Sequence, residues 1–198
     1  LEVSTDGGTI WNAAASATIA AGTTSVLVRT PINDDLIVES AEDFGLTATV
    51  TAGTTTNLSA TGTDTITDND ATGFSINDIS VNEATGNATF TITLSHPSAS
   101  PTSVDYATAA DTATGGGTDF SDVATTTLNF AAGVTSQTVT VPITNDAIFE
   151  GSEQFFVNLS GATGGPTIND AQGIGTILDD GTGSGGTDDD TPTLAVSS

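Results

Sequence analysis

Acidic side chains are the residues of this chain whose types and spacing could do chemistry. The 198 residues include 25 Asp plus Glu against one Arg and no Lys, for a formal charge of −24. One set of acids stands at the predicted ends of strands in the second half of the chain: Glu83, Asp119, Asp146, Glu150, Glu153, Asp179 and Asp180. Two carboxylates about 4 Å apart repel by about 4 kcal/mol at an effective dielectric near 20. If loops at one end of a β-sandwich bring these acids together, they need a cation.

The available ligands indicate which cation this would be. The acids offer hard oxygen ligands, the chain has no Cys, and its single His, His96, precedes Pro97 in a predicted loop. Such ligands favour calcium over zinc or copper, and their number favours calcium over magnesium. The ordinary alternative is that these are solvated loop residues, which is where Asp and Glu usually lie.

An internal repeat argues against that alternative. At an offset of 111 residues, Ala20-Ala21-Gly22 matches Ala131-Ala132-Gly133, and Pro31-Ile32 matches Pro142-Ile143. The acids Asp35, Glu39, Glu42 and Asp68 recur at the same offset as Asp146, Glu150, Glu153 and Asp179, and the first copy also contains Asp34 and Asp70. At an offset of 109, Gly7 to Trp11 resembles Gly116 to Phe120, which puts Ile10 in the place of Asp119 and predicts that Trp11 is a core residue.

The repeat predicts the domain organisation. Residues 73–103 have no counterpart in the first copy, so 1–70 is predicted to be a partial module that lacks its first two strands. Residues 71–181 form a complete module. Residues 182–198 are predicted to be a Gly- and Asp-rich linker followed by the first strand of a further module, Thr193 to Val196.

Hydrophobic periodicity predicts an all-β fold. In residues 88–94, Ala88, Phe90, Ile92 and Leu94 alternate with threonines, a pattern typical of a strand with one buried face. Val139, Val141 and Ile143 repeat the pattern, as do Phe155, Val157 and Leu159. No segment has a convincing helical period.

Other functional classes are disfavoured. Nucleic-acid binding needs clustered Lys and Arg, and no apolar run is long enough to span a membrane. A Ser nucleophile lacks a His in a plausible triad. A glycosidase cleft would need aromatic residues, and the chain has one Trp and one Tyr. We therefore predict that the chain is not an enzyme.

Four motifs resemble those of the Calx-beta domain family. They are Val81 to Gly86 around Glu83, Gly117-Thr118-Asp119-Phe120, Val141 to Glu153, and Thr176 to Asp180. The resemblance covers about 76–181, and its second half recurs at 18–70. It implies tandem immunoglobulin-like sandwiches, the first one truncated, that bind clustered calcium ions at one end.

The resemblance also implies which residues bind the ion. The family's ligands fall on Glu83, Asp119, Asp146, Glu150, Glu153, Asp179 and Asp180, with a less complete set at Asp35, Glu39, Glu42, Asp68 and Asp70. Asn145 stands where the family often has Asp, and Gly181 replaces the last acid of its usual triple-Asp ending. These departures imply fewer ions or weaker binding.

The expected function is that of a calcium-binding structural spacer in an extracellular bacterial repeat protein, such as an adhesin, biofilm matrix protein or surface filament. The expected partners are neighbouring modules, with head-to-tail self-association by strand addition through Thr193 to Val196, no nucleic acid and no membrane insertion. The alternative is a ligand-binding or calcium-responsive regulatory module, the role that the resemblance to sodium–calcium exchanger domains implies.

Overall fold

The computed structural model describes residues 1–146, 148 and 150–179. This part of the chain divides into two units, Leu1–Asp35 and a second that begins at Leu36. The strands are β1 Glu2–Ser4, β2 Asn12–Ala13, β3 Leu27–Arg29, β4 Glu42–Thr49, β5 Ser59–Ile66, β6 Gly73–Ile76, β7 Ile79–Asn82, β8 Asn87–Leu94, β9 Thr102–Ala110, β10 Thr126–Phe130, β11 Ser136–Pro142, β12 Glu153–Thr163, β13 Thr167–Ile168 and β14 Gln172–Leu178. The described residues contain one helical element, the 3₁₀ turn Glu83–Thr85, and none of their helices is long and apolar enough to cross a membrane. The predicted all-β class is confirmed.

The first unit holds one small antiparallel sheet with the strand order β2-β1-β3. Trp11 is only half-buried there. The guanidinium of Arg29 lies 4.2 Å from the centre of the Trp11 ring, and Arg29 Nε donates to Glu2 Oε2 over 2.6 Å. The prediction that Trp11 is a core residue is wrong, because the Trp11 ring packs against the Arg29 guanidinium at the surface of this sheet.

The second unit contains a sandwich of two sheets. One sheet has the order β10-β9-β12-β14-β7, and the other has the order β11-β8-β6-β13. In β8 the predicted alternation holds, since Ala88, Phe90, Ile92 and Leu94 are buried while Thr89 and Thr93 are exposed. Each strand therefore contributes its apolar residues to one shared core.

Aromatic side chains fill the space between the sheets. The Phe155 ring stacks on Phe120 with centroids 4.6 Å apart and meets Phe90 edge-on at 5.8 Å. Gly175 makes room for this packing, because a Cβ at its position would lie 2.5 Å from the Phe155 ring. The strand β14 therefore needs a glycine where it crosses the aromatic cluster.

The second unit also contains an antiparallel hairpin, β4–β5, whose residues are mostly exposed. It pairs Glu42 with Ile66, and β12–β14 pairs Glu153 with Ile177, so the two pairings have the same register at the repeat offset of 111 residues. Gly53 and Gly164, also 111 residues apart, both have positive φ, 98° and 81°. The predicted boundaries 1–70, 71–181 and 182–198 and the tandem arrangement stay predictions, and 182–198 lies outside the described residues.

Candidate metal centre

Two parallel strands bring the first pair of acids to one end of the five-stranded sheet. β7 ends at Asn82 and β14 ends at Leu178, and these two residues are paired. Glu83 and Asp179 are the next residues of each strand, so both stand at the same sheet edge. Each is 5% exposed, which is rare for a carboxyl group and requires compensation by partners or by a cation.

Asp119 reaches the same region from a loop. Phe120 forms an antiparallel bridge with Ile143, and the carbonyl of Asp119 accepts a hydrogen bond from Thr144 N at 2.9 Å. Its carboxylate oxygen Oδ2 accepts from Thr114 N at 2.5 Å. Asp119 is 9% exposed, so this acid is also held in place and largely removed from solvent.

Three carboxylates converge at this point. Asp119, Glu150 and Glu153 each offer one oxygen, and these atoms lie within 4.8 Å of one another. No other group of three His, Cys, Asp or Glu residues reaches this proximity among the described residues. Glu150 N also donates to Asp179 Oδ1 at 3.2 Å. The site therefore combines residues from three places in the chain. Glu150 and Glu153 come from the connection between β11 and β12, Asp119 comes from the loop after Gly116, and Asp179 follows β14.

The closeness of these three carboxylates makes a full set of negative charges unfavourable, and the pKa of Glu153 reflects this. Burial raises the pKa of the Glu153 carboxyl, and its hydrogen bond with Asp119 and the negative charges of Asp119 and Glu150 raise it further, to about 7. Glu153 is therefore partly protonated near neutral pH, because a further negative charge is unfavourable there. A cation could take the place of that proton, and an all-oxygen ligand set fits calcium.

The sequence matches a known family over this region. The Calx-beta domain profile matches residues 65–181. The chain belongs to the Calx-beta domain family. Calx-beta domains bind calcium, and the family is one of regulatory and structural domains, not of enzymes.

Solved structures of Calx domains are similar to this chain in fold and sequence. The apo form of the Calx CBD1 domain is 25% identical with a TM-score of 0.52, and the match covers 56% of this chain and 99% of that one. CBD12 from CALX1.2 is 27% identical with a TM-score of 0.51, covering 56% of this chain and 44% of that one. The calcium binding domain CBD12 of CALX1.1 is 26% identical with a TM-score of 0.50, covering 54% and 45%. None of the curated proteins matches this chain.

Within the Calx-beta domain, the structure gathers some of the predicted ligands and not others. Asp119, Glu150 and Glu153 converge, and Asp179 is hydrogen-bonded to the backbone of Glu150. Asp146 is half-buried and its Oδ1 accepts from Ile148 N at 2.8 Å, which caps a turn outside the converging group. Asp180 lies outside the described residues.

The acids of the first copy are placed differently. Asp68 Oδ2 accepts from Glu39 N at 3.0 Å, and Asp68 Oδ1 accepts from Asp70 N at 3.3 Å. Glu42 opens strand β4 and is exposed, and Asp35 is exposed in the first unit. The described structure does not gather three of these carboxylates, so their assignment as ligands stays a prediction.

One residue of the site was missed from the sequence. Asn82 is buried, and its side-chain Nδ2 donates to the backbone carbonyl of Asp179 at 3.1 Å. The available signal was its place directly before Glu83 at the end of a predicted strand. Its hydrogen-bond partner is 97 residues away, a pairing that spacing within one motif does not indicate.

Proposed function

We propose that this chain is a calcium-binding structural spacer of an extracellular bacterial repeat protein, such as an adhesin, biofilm matrix protein or surface filament. Calcium at module ends and junctions would stiffen the protein. The observation that carries the calcium part is the convergence of Asp119, Glu150 and Glu153 within 4.8 Å, together with the raised pKa of Glu153.

The acids of the complete module would hold the ion. Asp119, Glu150 and Glu153 would supply carboxylate oxygens, with Asp179 beside them. When bound, calcium supplies positive charge that removes the repulsion among these groups. The loops that carry the acids would then be tied together at one end of the sandwich, which favours the folded state.

Contacts beside the first-copy acids support the junction part of the proposal. Val38 N donates to Pro97 O at 2.9 Å, and Ala99 N donates to Val38 O at 2.9 Å. The next residue, Glu39, donates its backbone N–H to Asp68 Oδ2. The same short segment thus contacts both a first-copy acid and a loop of the complete module. Neighbouring modules of the same protein are the proposed partners.

The charge of −24 supports an extracellular location. Self-repulsion on this scale favours surroundings rich in cations, and extracellular calcium modules bind with dissociation constants of about 10⁻⁴ to 10⁻³ M. Asn145 and Gly181, which stand where the family often has acids, fit such weak binding. Head-to-tail association stays part of the proposal, although Thr193 to Val196 lies outside the described residues.

Thermal melting with and without calcium tests the proposal. A ligand that binds only the folded state adds about 2.7 kcal/mol when its concentration is a hundred times the dissociation constant. We expect millimolar calcium to raise the Tm of the complete module above its value in EGTA, with magnesium at equal concentration as the control. Equal Tm values in calcium and EGTA would overturn the proposed function.

Hydrogen exchange tests the junction separately. If calcium stiffens the junction, the amide protons of Val38 and Ala99, which form the two backbone bonds described above, should exchange more slowly with calcium than in EGTA. Unchanged exchange at both amides alongside a calcium-dependent Tm would leave a calcium module without a stiffened junction.

A calcium-responsive regulatory module is the second candidate. It is favoured by the likeness to the calcium binding domain CBD12 of CALX1.1. A transmembrane segment in the full-length gene would favour this candidate, and further copies of the repeat with a secretion signal would favour the spacer.

A further inference from the structure

We infer that Asn82 is a positioning residue of the calcium site, which fixes the strand ends carrying Glu83 and Asp179 relative to each other. The inference rests on the proposed function, because it concerns how strongly the acids bind calcium. It assigns a role to a neutral residue that offers no negative charge to the ion.

Both polar atoms of the Asn82 amide are used, and they act on different elements. Oδ1 accepts from Ala84 N at 3.0 Å, which caps the 3₁₀ turn Glu83–Thr85. Nδ2 donates to Asp179 O at 3.1 Å. Asn82 is 7% exposed, so neither bond is easily replaced by water. One amide therefore holds the backbone of the turn that contains Glu83 and the backbone of Asp179.

The same turn is connected to the loop of Asp119. Gly86 ends the turn with a φ of 71°, and its carbonyl accepts from Ile143 N at 3.0 Å. Ile143 forms the bridge with Phe120, next to Asp119. Hydrogen bonds joined by short stretches of backbone thus lead from Asp179 through the Asn82 side chain and the turn to Ile143, and Thr144 N, next to Ile143, donates to Asp119 O. In this path the link between Asp179 and the turn is made by the Asn82 amide.

The chemistry of the position favours an amide. Because the bond to Asp179 O needs a donor and the bond from Ala84 N needs an acceptor, one side chain must offer both at a distance from each other. An Asp would present an acceptor to the carbonyl of Asp179 and add negative charge among buried acids. A Ser can cap the turn but is too short to replace the Nδ2 contact.

Asn77, in the connection that precedes β7, provides a matched control. Its Oδ1 accepts from Thr91 N at 2.6 Å and its Nδ2 donates to Asp78 O at 3.2 Å. It therefore also bridges two backbone positions through its amide, but it precedes β7, whereas Asn82 ends that strand beside the acids. Loss of this amide removes structural bonds without touching the candidate site.

The test is calcium titration of the wild-type protein and three variants, Asn82→Ala, Asn82→Ser and Asn77→Ala, by isothermal calorimetry, with Tm values in EGTA measured in parallel. Loss of residues that orient metal ligands typically weakens binding 10- to 100-fold. We expect both Asn82 variants to raise the calcium Kd about tenfold or more and Asn77→Ala to leave it unchanged, even where Asn77→Ala lowers the Tm in EGTA. Asn82→Ser keeps the turn capped, so it remains informative if Asn82→Ala fails to fold.

The outcomes separate the inference from the proposed function. If the wild-type protein shows no calcium binding, the proposed function fails. If the wild-type protein binds and Asn82→Ser binds equally well, the link between Asn82 and Asp179 does not position the site and the inference is overturned. If Asn77→Ala weakens binding as much as Asn82→Ser, the effect is one of general stability and the inference is again overturned.

Discussion

Hairpin β4–β5 pairs Glu42 with Ile66, and β12–β14 pairs Glu153 with Ile177, so the two copies share a register along the backbone. Their surroundings differ. Phe155 and Val157 are 0% exposed, whereas Leu46, the counterpart of Val157, is 39% exposed. In the Calx-beta domain, β7, β8 and β9 pair with or cover β12–β14, whereas among the described residues β4 and β5 form a sheet of two strands. Strand pairing is thus encoded locally, while burial depends on partner strands supplied from elsewhere in the sequence.

The acids differ in the same way. Glu150 N donates to Asp179 Oδ1, and Glu39 N donates to Asp68 Oδ2, so the turn geometry is repeated. Only the complete module adds an acid from a separate loop, Asp119, and brings three carboxylates within 4.8 Å among the described residues. A repeated turn alone therefore does not make a cation site.

Removing the aromatic ring at equivalent positions should give the largest contrast between the copies. Phe155→Ala should lower the free energy of unfolding by about 3 to 5 kcal/mol, because it opens a cavity among Phe90 and Phe120. Phe44→Ala, at the equivalent position of the exposed hairpin, should cost less than about 1 kcal/mol. Urea unfolding followed by circular dichroism measures both. Equal losses would show that the β4–β5 hairpin is as well covered as β12–β14.

Adding a methyl group at equivalent glycines should give a smaller contrast. Gly53→Ala should cost about 1 kcal/mol from its positive φ alone, since a Cβ there meets no atom within 4 Å. Gly164→Ala should cost more, because its Cβ would lie 2.8 Å from the backbone oxygen of Pro101. Thermal melts of the two variants check the order, and the reverse order would contradict the described packing.

The pH dependence of stability should reveal the raised pKa of Glu153. The pKa of Glu153 is raised from 4.5 to about 7 in the folded protein, so the folded state binds its proton more tightly than the unfolded state. This contribution to stability is fully present below pH 4.5 and is lost as pH rises through about 7. In EGTA, Glu153→Gln should therefore have a Tm similar to that of the wild type at pH 4.5 and a higher Tm at pH 8.

The matched control for Glu153→Gln is Glu42→Gln, at the equivalent exposed position of the first copy. This variant removes a carboxyl that lies outside the converging group, and it should raise the Tm at pH 8 by less than Glu153→Gln does. The account of Glu153 is contradicted if Glu153→Gln gives the same Tm difference at pH 4.5 and pH 8.

Much of the fold could be predicted from the sequence because it depends on local alternation. The apolar residues of 88–94 form the buried face of β8, and Phe155, Val157 and Leu159 face the same core. The prediction for Trp11 was wrong because its alignment with Phe120 does not show which residue packs against the ring. In the described first unit, the Arg29 guanidinium lies over the Trp11 ring.

The candidate site was predictable in part. Residue type and repetition singled out Asp119, Glu150 and Glu153, which the structure brings together. They did not distinguish these from Asp146, which caps its own turn, because all four acids stand near predicted strand ends. Nor did they find Asn82, since its bond to Asp179 depends on the parallel pairing of β7 with β14.

Paired substitutions at equivalent acids test the central claim most directly. The variant Glu150→Gln with Glu153→Gln and the variant Glu39→Gln with Glu42→Gln remove the same charge from the two copies. The measurement is the rise in Tm of the complete module between EGTA and millimolar calcium. The account predicts that the first variant loses most of this rise and that the second keeps it. A first variant that keeps the full rise, or a second that loses as much as the first, would contradict the placement of the calcium site in the complete module.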